Sequence, residues 1–286
     1  MKRFGLGPGK AQVLCARRGY VDAVRFADVK YREQPATVAK TEDRFATQER
    51  VFEENSAHVA PPEREALWRL LVEYRDVWEH PDVWEHPEAG RVKYEASFEV
   101  HGTPHRARVR HYEPETQVAK QLELGVIRPS KSEWAAAPHF VKKKTGEWRC
   151  VIDYRRLNEK MVSDSYPLPR ILHHLRRAAG RNVYVTLDMN AGFWNVPIEA
   201  GSRHLTAFIT PIGLFEFNVI PLGVKNSPAE FQRAMDSCFA PVLGDDVFCY
   251  IDDIVTCGDS VAEVMPKLRK LLDLCRETGF FLRLDK

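Results

Sequence analysis

The sequence predicts an α+β fold in which amphipathic helices pack on an antiparallel sheet. Residues 245–256 form two runs of β-branched and aromatic residues around a short polar tip, the pattern of a tight β-hairpin. The apolar run Val183–Leu187 predicts a buried strand. Apolar residues at helical spacing in the stretch that follows Ser227 and in residues 262–278 predict two amphipathic helices to cover that sheet.

Composition allows a substantial core and excludes few functions. The chain has 286 residues, of which 44% are hydrophobic, and its formal net charge is only +2. A site for a polyanion must therefore come from local clusters of Lys and Arg. No apolar run is long enough for a signal peptide or a membrane span, so we expect an intracellular protein that does not bind membranes.

The cysteines predict buried free thiols in a reducing compartment. No two of them form a CxxC pair, the commonest unit of a structural zinc site. Several lie in apolar strand or helix patterns, where a thiol behaves as a small hydrophobic group. The six are Cys15, Cys150, Cys238, Cys249, Cys257 and Cys275.

The first third of the chain is weakly patterned. Residues 1–60 combine dense charge with poor periodicity and are expected to form a poorly ordered arm or linker. Residues 61–92 are expected to hold a helix over Pro61–Arg75 and a loop in which DVWEHP occurs twice. The duplication is typical of a tolerated loop insertion, and no function is assigned to it.

From Lys93 onward the pattern sharpens. Tyr94–Val100 alternates like an edge strand, and Glu113–Leu124 predicts a helix that stops at Gly125. The stretch Phe140–Ile152 predicts a hairpin whose tip carries three lysines. Such a tip is either a solvated charged turn or a cationic finger for phosphate groups.

The middle of the chain predicts a strand pair and a capped helix. Leu205–Ile209 and Leu214–Val219 are expected to pair as strands. Ser227 is expected to cap the following helix, with Glu230 completing a capping box. After the second helix, which ends at Gly279, the two phenylalanines that follow predict a short strand.

Adjacent carboxylates at the hairpin tip suggest a metal site. Asp252 and Asp253 would repel each other unless a cation lies between them, and oxygen ligands favour Mg²⁺ or Mn²⁺. Asp188, at the end of the predicted buried strand, could supply a further ligand from a neighbouring strand. The alternatives are ordinary: Asp-Asp is common in hydrophilic turns, and surface aspartates often end strands.

Several blocks of sequence, taken in order, resemble the fingers and palm of a reverse transcriptase. The resemblance covers residues 93–286 and is closest to the enzymes of Ty3/gypsy-type LTR retrotransposons. An ordered series of this kind is far more specific than any single four-residue match. The blocks are RPSKSEWAAAPHFVKKK, EWRCVIDYRRLN, YPLPR, LDMNAGFWNVPI, TAFIT, FEFNVIPLGVKNSPAEFQ and YIDDIV.

The resemblance implies a role for each matching residue. It implies that two Mg²⁺ or Mn²⁺ ions are bound by the catalytic carboxylates Asp188, Asp252 and Asp253. It implies that the incoming deoxynucleotide is contacted by Lys143, Arg149, Ala191, Phe193 and Leu222, with Phe193 as the aromatic gate against a ribose 2′-OH. It implies that nucleic acid is contacted by Tyr250 and Gly223. Lys286 aligns with a lysine proposed to protonate the leaving pyrophosphate.

The resemblance also implies a right-hand polymerase with fingers and palm and without a thumb. The fingers would span about 93–163 and 196–226, and the palm about 164–195 and 227–286. A thumb, a connection domain and RNase H would follow in a longer polyprotein. The chain departs from the family pattern at Leu222, where Gln or Phe is usual, and at Gly192–Asn195, which replaces GYHQ.

The function implied is RNA-directed DNA polymerisation by two-metal-ion catalysis, with a primed RNA or DNA template and dNTPs as partners. A chain of this origin would work in the cytoplasm or in a virus-like particle. The alternative is a catalytically silent, nucleic-acid-binding remnant of such a polymerase. A palm-type nucleotide cyclase is disfavoured because the sequence lacks a GGDEF-like hairpin.

Overall fold

The computed structural model of the protein describes residues 44–78, 92–109, 115–142, 148–244 and 246–283, all within one compact unit. The helices are α1 (Arg44–Asn55), α2 (Pro61–Glu73), α3 (Arg75–Trp78), α4 (Glu115–Glu123), α5 (Arg155–Asn158), α6 (Ile171–Ala178), α7 (Gly192–Asn195), α8 (Ser227–Phe239) and α9 (Val261–Thr278). The strands are β1 (Ile127–Pro129), β2 (Ala137–Lys142), β3 (Trp148–Asp153), β4 (Val183–Met189), β5 (Phe208–Thr210), β6 (Gly213–Phe217), β7 (Val247–Tyr250), β8 (Asp253–Gly258) and β9 (Leu282–Arg283).

The largest sheet of the described residues is four-stranded and antiparallel, in the order β7-β8-β4-β9. Strands β7 and β8 form the predicted hairpin, and β4 pairs with β8 along its length. The two-residue strand β9 covers the end of β4. Helices α8 and α9 pack against this sheet. The prediction of an α+β fold built on an antiparallel sheet is therefore confirmed.

The two faces of the four-stranded sheet differ in burial. Leu187 and Met189 of β4 and Ile254 of β8 are buried in the main core. Side chains alternate between the faces of a strand, so Asp188 and Asp253 point to the other face. That face is covered at one end by α6, where Ala178 packs with Phe248 and Cys257.

Two smaller sheets come from the segments predicted as fingers. Strands β1, β6 and β5 form one antiparallel sheet, and β2 and β3 form a hairpin. A bridge between Ala136 and Phe208 joins the two. The predicted strand at Leu205–Ile209 begins later, because Arg203–Thr206 forms a 3₁₀ helix.

The expectation of a poorly ordered arm over residues 1–60 is wrong for α1, and residues 1–43 lie outside the described residues. Two aromatic rings of α1 pack against α2: the ring centres of Phe45 and Phe52 lie 5.4 and 5.1 Å from that of Trp68. A pair of apolar residues in a charged helix gives a weak sequence signal, although it is enough to dock the helix.

The N-terminal helices are docked on α9. Tyr74 donates a hydrogen bond to Asp273 Oδ1 at 2.6 Å, and Arg276 Nε donates to Asp76 Oδ2 at 2.6 Å. The Arg276 guanidinium also lies 4.3 Å from the centre of the Tyr74 ring. The predicted loop duplication begins in α3, and its second copy, Asp82–Pro87, lies outside the described residues.

Two local predictions are corrected by the structure. Ser227 does not cap α8: Asn226 precedes the helix, and the Ser227 hydroxyl donates to Pro221 O at 2.9 Å. The hydroxyl is therefore engaged with this carbonyl and makes no capping hydrogen bond to the helix N-terminus. Tyr94–Val100 is not a full strand, since it forms only isolated bridges at Ala96 and Val100.

The prediction of buried free thiols agrees with the described residues. Cys238, Cys249, Cys257 and Cys275 are free thiols in buried positions. No helix in the described part of the chain is both long enough and apolar enough to cross a bilayer.

Phe280 is expected to be a major source of stability. Its side chain is 1% exposed, and its ring lies 5.6 Å from that of Phe239 and 6.1 Å from that of Phe231. Phe280→Ala should lower the free energy of unfolding by about 3–5 kcal/mol, because it leaves a cavity in the core. Urea denaturation measures the change. The matched control is Phe281→Ala at the partly exposed neighbour, and equal losses in the two variants would contradict the assignment.

Candidate active site

The tip of the β7–β8 hairpin is a two-residue turn. Tyr250 ends β7, Asp253 begins β8, and the two residues are directly paired, so Ile251 and Asp252 form the turn. Ile251 has φ 53°, a left-handed conformation that is costly for a β-branched residue. The turn therefore needs support from outside the hairpin.

Gln232 of α8 gives that support. The backbone N–H of Ile251 donates to Gln232 Oε1 at 2.8 Å. The side-chain amide of Gln232 also donates from Nε2 to Asp236 Oδ1 at 2.9 Å and to Cys249 O at 3.4 Å. Gln232 is fully buried, so these bonds form away from water. The amide fixes the backbone of the turn relative to α8.

One row of side chains crosses all four strands at this end of the sheet. In register, Tyr250 lies opposite Asp253, Asp253 opposite Asp188, and Asp188 opposite Arg283. Directly opposed residues in an antiparallel sheet share a face, with Cβ atoms about 4.5–5.5 Å apart. Strand pairing thus brings Asp188 and Asp253 together from positions 65 residues apart in sequence.

The third predicted carboxylate lies beside this row, in the turn. The Met189 N–H donates to Asp252 O at 3.0 Å, which ties the turn to the end of β4. Within the described residues, no three His, Cys, Asp or Glu side chains already surround a common point. Convergence of Asp188, Asp252 and Asp253 on one metal site therefore stays a prediction.

The donor atoms at this end of the sheet suit a hard divalent cation. Three carboxylates offer only oxygen ligands, which Mg²⁺ and Mn²⁺ prefer. The Oδ2 atom of Asp188 is buried and accepts no hydrogen bond from the described residues, although Asp188 makes other interactions. The nearby Cys249 is buried, and burial raises the pKa of its thiol, so it remains a protonated core residue.

The segment after Asp188 turns sharply against α8. Ala191 has φ 48°, and the ring of Phe193 stacks on that of Phe231 at 4.7 Å with an interplanar angle of 23°. A side chain at Gly192 would place its Cβ 2.9 Å from Phe231 Cζ, so the close approach requires glycine. The backbone geometry thus holds Phe193 directly after the carboxylate strand.

The other predicted nucleotide contacts lie in the segments predicted as fingers. Leu222 is 42% exposed, and Gly223 has φ 95°. Asn158 secures this loop, because its Nδ2 donates to Gly223 O at 2.9 Å and its Oδ1 accepts from Lys225 N at 2.8 Å. Arg149 lies in β3 opposite Val141, and Lys143 and Lys286 lie outside the described residues. Nothing in this geometry tests the roles assigned to these residues.

A partly buried polar network around α8 was not anticipated from the sequence. Arg233 donates from Nη2 to both carboxylate oxygens of Asp164, at 2.9 and 2.8 Å, and also pairs with Glu230. Glu230 Oε2 accepts from the Tyr94 hydroxyl at 2.8 Å. Burial raises the pKa of Tyr94 to about 12, so its hydroxyl is a neutral donor. The network joins Tyr94 and Asp164 to the helix that supports the turn.

A second network anchors the far end of the hairpin. Asp246, just before β7, accepts from Lys267 Nζ at 2.7 Å and from Arg181 Nη2 at 2.9 Å. The hydrogen bond from Lys267 is the main reason that the pKa of Asp246 lies below its ordinary value. Both ends of β7 are therefore fixed, one by charge and the other by Gln232.

About half of the sequence matches a known protein family. Residues 141–286 match the family described as reverse transcriptase (RNA-dependent DNA polymerase). The chain is 33% identical over 180 residues to the retrovirus-related Pol polyprotein from transposon 412 of Drosophila melanogaster, covering 61% of this chain and 15% of the relative. It is 34% identical over 174 residues to the enzymatic polyprotein of cauliflower mosaic virus (strain Strasbourg), covering 59% of this chain and 26% of the relative.

Solved structures show the same fold. The protease-reverse transcriptase of prototype foamy virus superposes with a TM-score of 0.73 at 26% identity, covering 84% of this chain and 32% of that one. A foamy viral protease-reverse transcriptase in complex with double-stranded DNA gives the same TM-score at 25% identity, with 84% and 42% coverage. The chain thus spans less than half the length of each of these relatives.

Loss of the Gln232 amide is expected to destabilise the protein. Gln232→Leu keeps much of the side-chain volume but removes the acceptor of the Ile251 N–H. An unsatisfied group at this turn should lower the free energy of unfolding by about 1–3 kcal/mol, measured by urea denaturation.

Thr256→Val is the matched control, since it also replaces a buried polar group by an apolar one. Thr256 is fully buried in β8, and its Oγ1 has no hydrogen-bond partner among the described residues. This variant should be as stable as the original chain or more stable. A Gln232→Leu variant as stable as Thr256→Val would show that the turn does not depend on the amide.

Proposed function

The chain belongs to the reverse transcriptase family, and on that premise we propose that it carries out template-directed addition of deoxynucleotides to a primer 3′ end. The observation that carries the proposal is the pairing of Asp188 with Asp253 on one face of the sheet, beside the turn that holds Asp252. Carboxylates from two distant segments are opposed here, which supports the proposal, because phosphoryl transfer with divalent metals requires carboxylates that can converge on the metal ions.

The three carboxylates would hold the metal ions. Asp188 and Asp253 approach from opposed strands, and rotation about their side-chain bonds would allow them and Asp252 to bind the same metal ions. When bound, two Mg²⁺ or Mn²⁺ ions would stabilise the attacking 3′ oxygen and the leaving pyrophosphate oxygen. The same cations would remove the repulsion between the carboxylates.

The remaining residues would position the substrates. Phe193, held by its stack on Phe231, would pack against the deoxyribose and exclude a 2′-OH. Ala191 and the exposed Leu222 would lie along the nucleotide, and Lys143 and Arg149 would neutralise its triphosphate. Tyr250 and Gly223 would contact the template or primer. The family resemblance supports these roles.

We further propose that the substrate is primed RNA or DNA and that the chain is the fingers and palm portion of a longer polyprotein of the Ty3/gypsy type. The relatives support the nucleic-acid substrate and the polyprotein origin, since two are named polyproteins and one solved neighbour is in complex with double-stranded DNA. The Ty3/gypsy type is proposed from the sequence resemblance. The proposed boundaries place the fingers at about 93–163 and 196–226, and the palm at about 164–195 and 227–286. Contacts to the nucleic-acid backbone should be weakened by salt.

Primer extension tests this function. The chain is incubated with poly(rA)/oligo(dT), dTTP and either Mg²⁺ or Mn²⁺. Asp252→Asn is expected to lower the extension rate about a thousandfold, because loss of a metal ligand removes several kcal/mol of transition-state stabilisation. The matched control is Asp259→Asn, directly after the far end of β8, which removes an exposed carboxylate and should leave the rate unchanged.

Binding of the same primer-template, followed by fluorescence anisotropy, separates the two functions considered. Extension that Asp252→Asn abolishes, with binding retained, supports the polymerase. Salt-sensitive binding by the original chain without any metal-dependent extension would contradict it and would instead indicate a silent nucleic-acid-binding remnant.

A further inference from the structure

We propose that Arg283 is a positioning residue for the acidic row: a fixed positive charge beside Asp188 that offsets carboxylate repulsion and lowers the affinity of the site for divalent cations. The inference rests on the proposed function, because it takes Asp188, Asp252 and Asp253 as the metal ligands. It adds a cationic side chain to the metal site that neither the family resemblance nor the acidic motif supplies.

The path of the chain after α9 places Arg283 with little freedom. Gly279 has φ 85°, and the backbone N–H groups of Gly279 and Phe280 both donate to Cys275 O, at 2.9 and 3.1 Å. This αL turn ends α9 and sends the chain back toward the sheet. Phe280 then inserts into the aromatic core, which fixes the start of the returning segment.

Alternation along this segment decides which face Arg283 occupies. Phe280 and Leu282 are each 1% exposed, in the core. Arg283 follows Leu282 and is exposed, so it points to the opposite face, which carries the acidic row. The amino acid after a buried strand residue is therefore placed beside the carboxylates by the pleat of the strand alone.

Register then sets the partner. Leu282 pairs with Met189, and Arg283 pairs with Asp188. The Asn190 N–H donates to Phe281 O at 2.8 Å, which holds the two segments together next to these pairs. Asp188 thus lies between Asp253 on one side and Arg283 on the other. The long Arg283 side chain can reach a carboxylate whose Cβ is about 5 Å from its own.

The charge balance of the row explains why such a residue matters. Two carboxylates directly opposite each other destabilise a sheet pair, and Asp252 adds a third negative charge nearby. A guanidinium remains charged at all physiological pH values and gives up its water more readily than an ammonium group. Arg283 would therefore stabilise the row in the absence of metal. It would also repel an approaching divalent cation, so the resulting affinity is a compromise between the two effects.

Manganese binding to the full chain measures this compromise. Free Mn²⁺ is followed by electron paramagnetic resonance during titration, without nucleotide or nucleic acid. Arg283→Gln should lower the dissociation constant about three- to tenfold, since one positive charge near a divalent cation is lost. Arg283→Lys keeps the charge and should stay close to the original value. The control Arg69→Gln makes the same change in net charge at an exposed side chain of α2 and should have no effect.

A stability readout distinguishes an electrostatic role from a purely structural one. In EDTA, Arg283→Gln should melt at a lower temperature than the original chain, because the carboxylate repulsion is no longer offset. At saturating Mn²⁺ this difference should disappear. A residue needed only for strand packing would lower the melting temperature equally in both conditions, and that outcome would overturn the proposal. Arg283→Met, with a side chain of similar reach, provides a second uncharged variant should the glutamine variant fold poorly.

The aspartate variants separate failure of this inference from failure of the proposed function. Asp188→Asn and Asp252→Asn should each weaken Mn²⁺ binding. If neither does, the metal site itself is wrong. If both do while Arg283→Gln binds Mn²⁺ as before or more weakly, the metal site stands and the role of Arg283 is refuted.

Discussion

The register between β4 and β8 is the constraint on which the rest of the site depends. Asp188 and Asp253 face each other only in this register, and a slip of one residue would turn Asp188 into the core and Leu187 onto the site face. Such a slip would bury a charge and expose an apolar side chain, so hydrophobic burial on one face of the sheet fixes the chemistry on the other. Burial of the apolar face therefore offsets the free-energy cost of placing two carboxylates opposite each other.

Helix α8 links that sheet to the rest of the molecule. Its apolar side, with Phe231 and Met235, packs in the core, while Gln232 holds the strained turn at Ile251. Arg233, at the next position, pairs with Asp164 and with Glu230 of the same helix, and Glu230 accepts a hydrogen bond from the Tyr94 hydroxyl. These contacts tie α8 to the segments that hold Tyr94 and Asp164. One helix therefore supports both the position of the carboxylates and the position of Phe193. A substitution in α8 would therefore alter the position of the hairpin tip even though the substituted residue does not contact substrate.

Local sequence patterns were enough for the hairpin, the β4 strand and the two long helices, because each has a clear apolar period and defined ends. They were not enough for helix α1, whose stability comes from rings on another helix, or for Ser227, whose hydroxyl found a carbonyl six residues back. Gln232 stood in a recognised block, yet its role depends on a contact 19 residues away. The role of Arg283 is likewise invisible in the local sequence, since it follows from the pairing of β9 with β4, which sets Arg283 opposite Asp188. Tertiary pairing of this kind has no local signal.

Anomalous diffraction from crystals of the chain grown with Mn²⁺ would test most directly whether the acidic row is a metal site. The expected result is Mn²⁺ on the open face of the four-stranded sheet, with oxygens of Asp188 and of Asp252 or Asp253 at about 2.1 Å from the metal. Mn²⁺ bound elsewhere, with none near these carboxylates, would contradict the assignment. So would a structure in which Asp188 and Asp253 lie on opposite faces of the sheet.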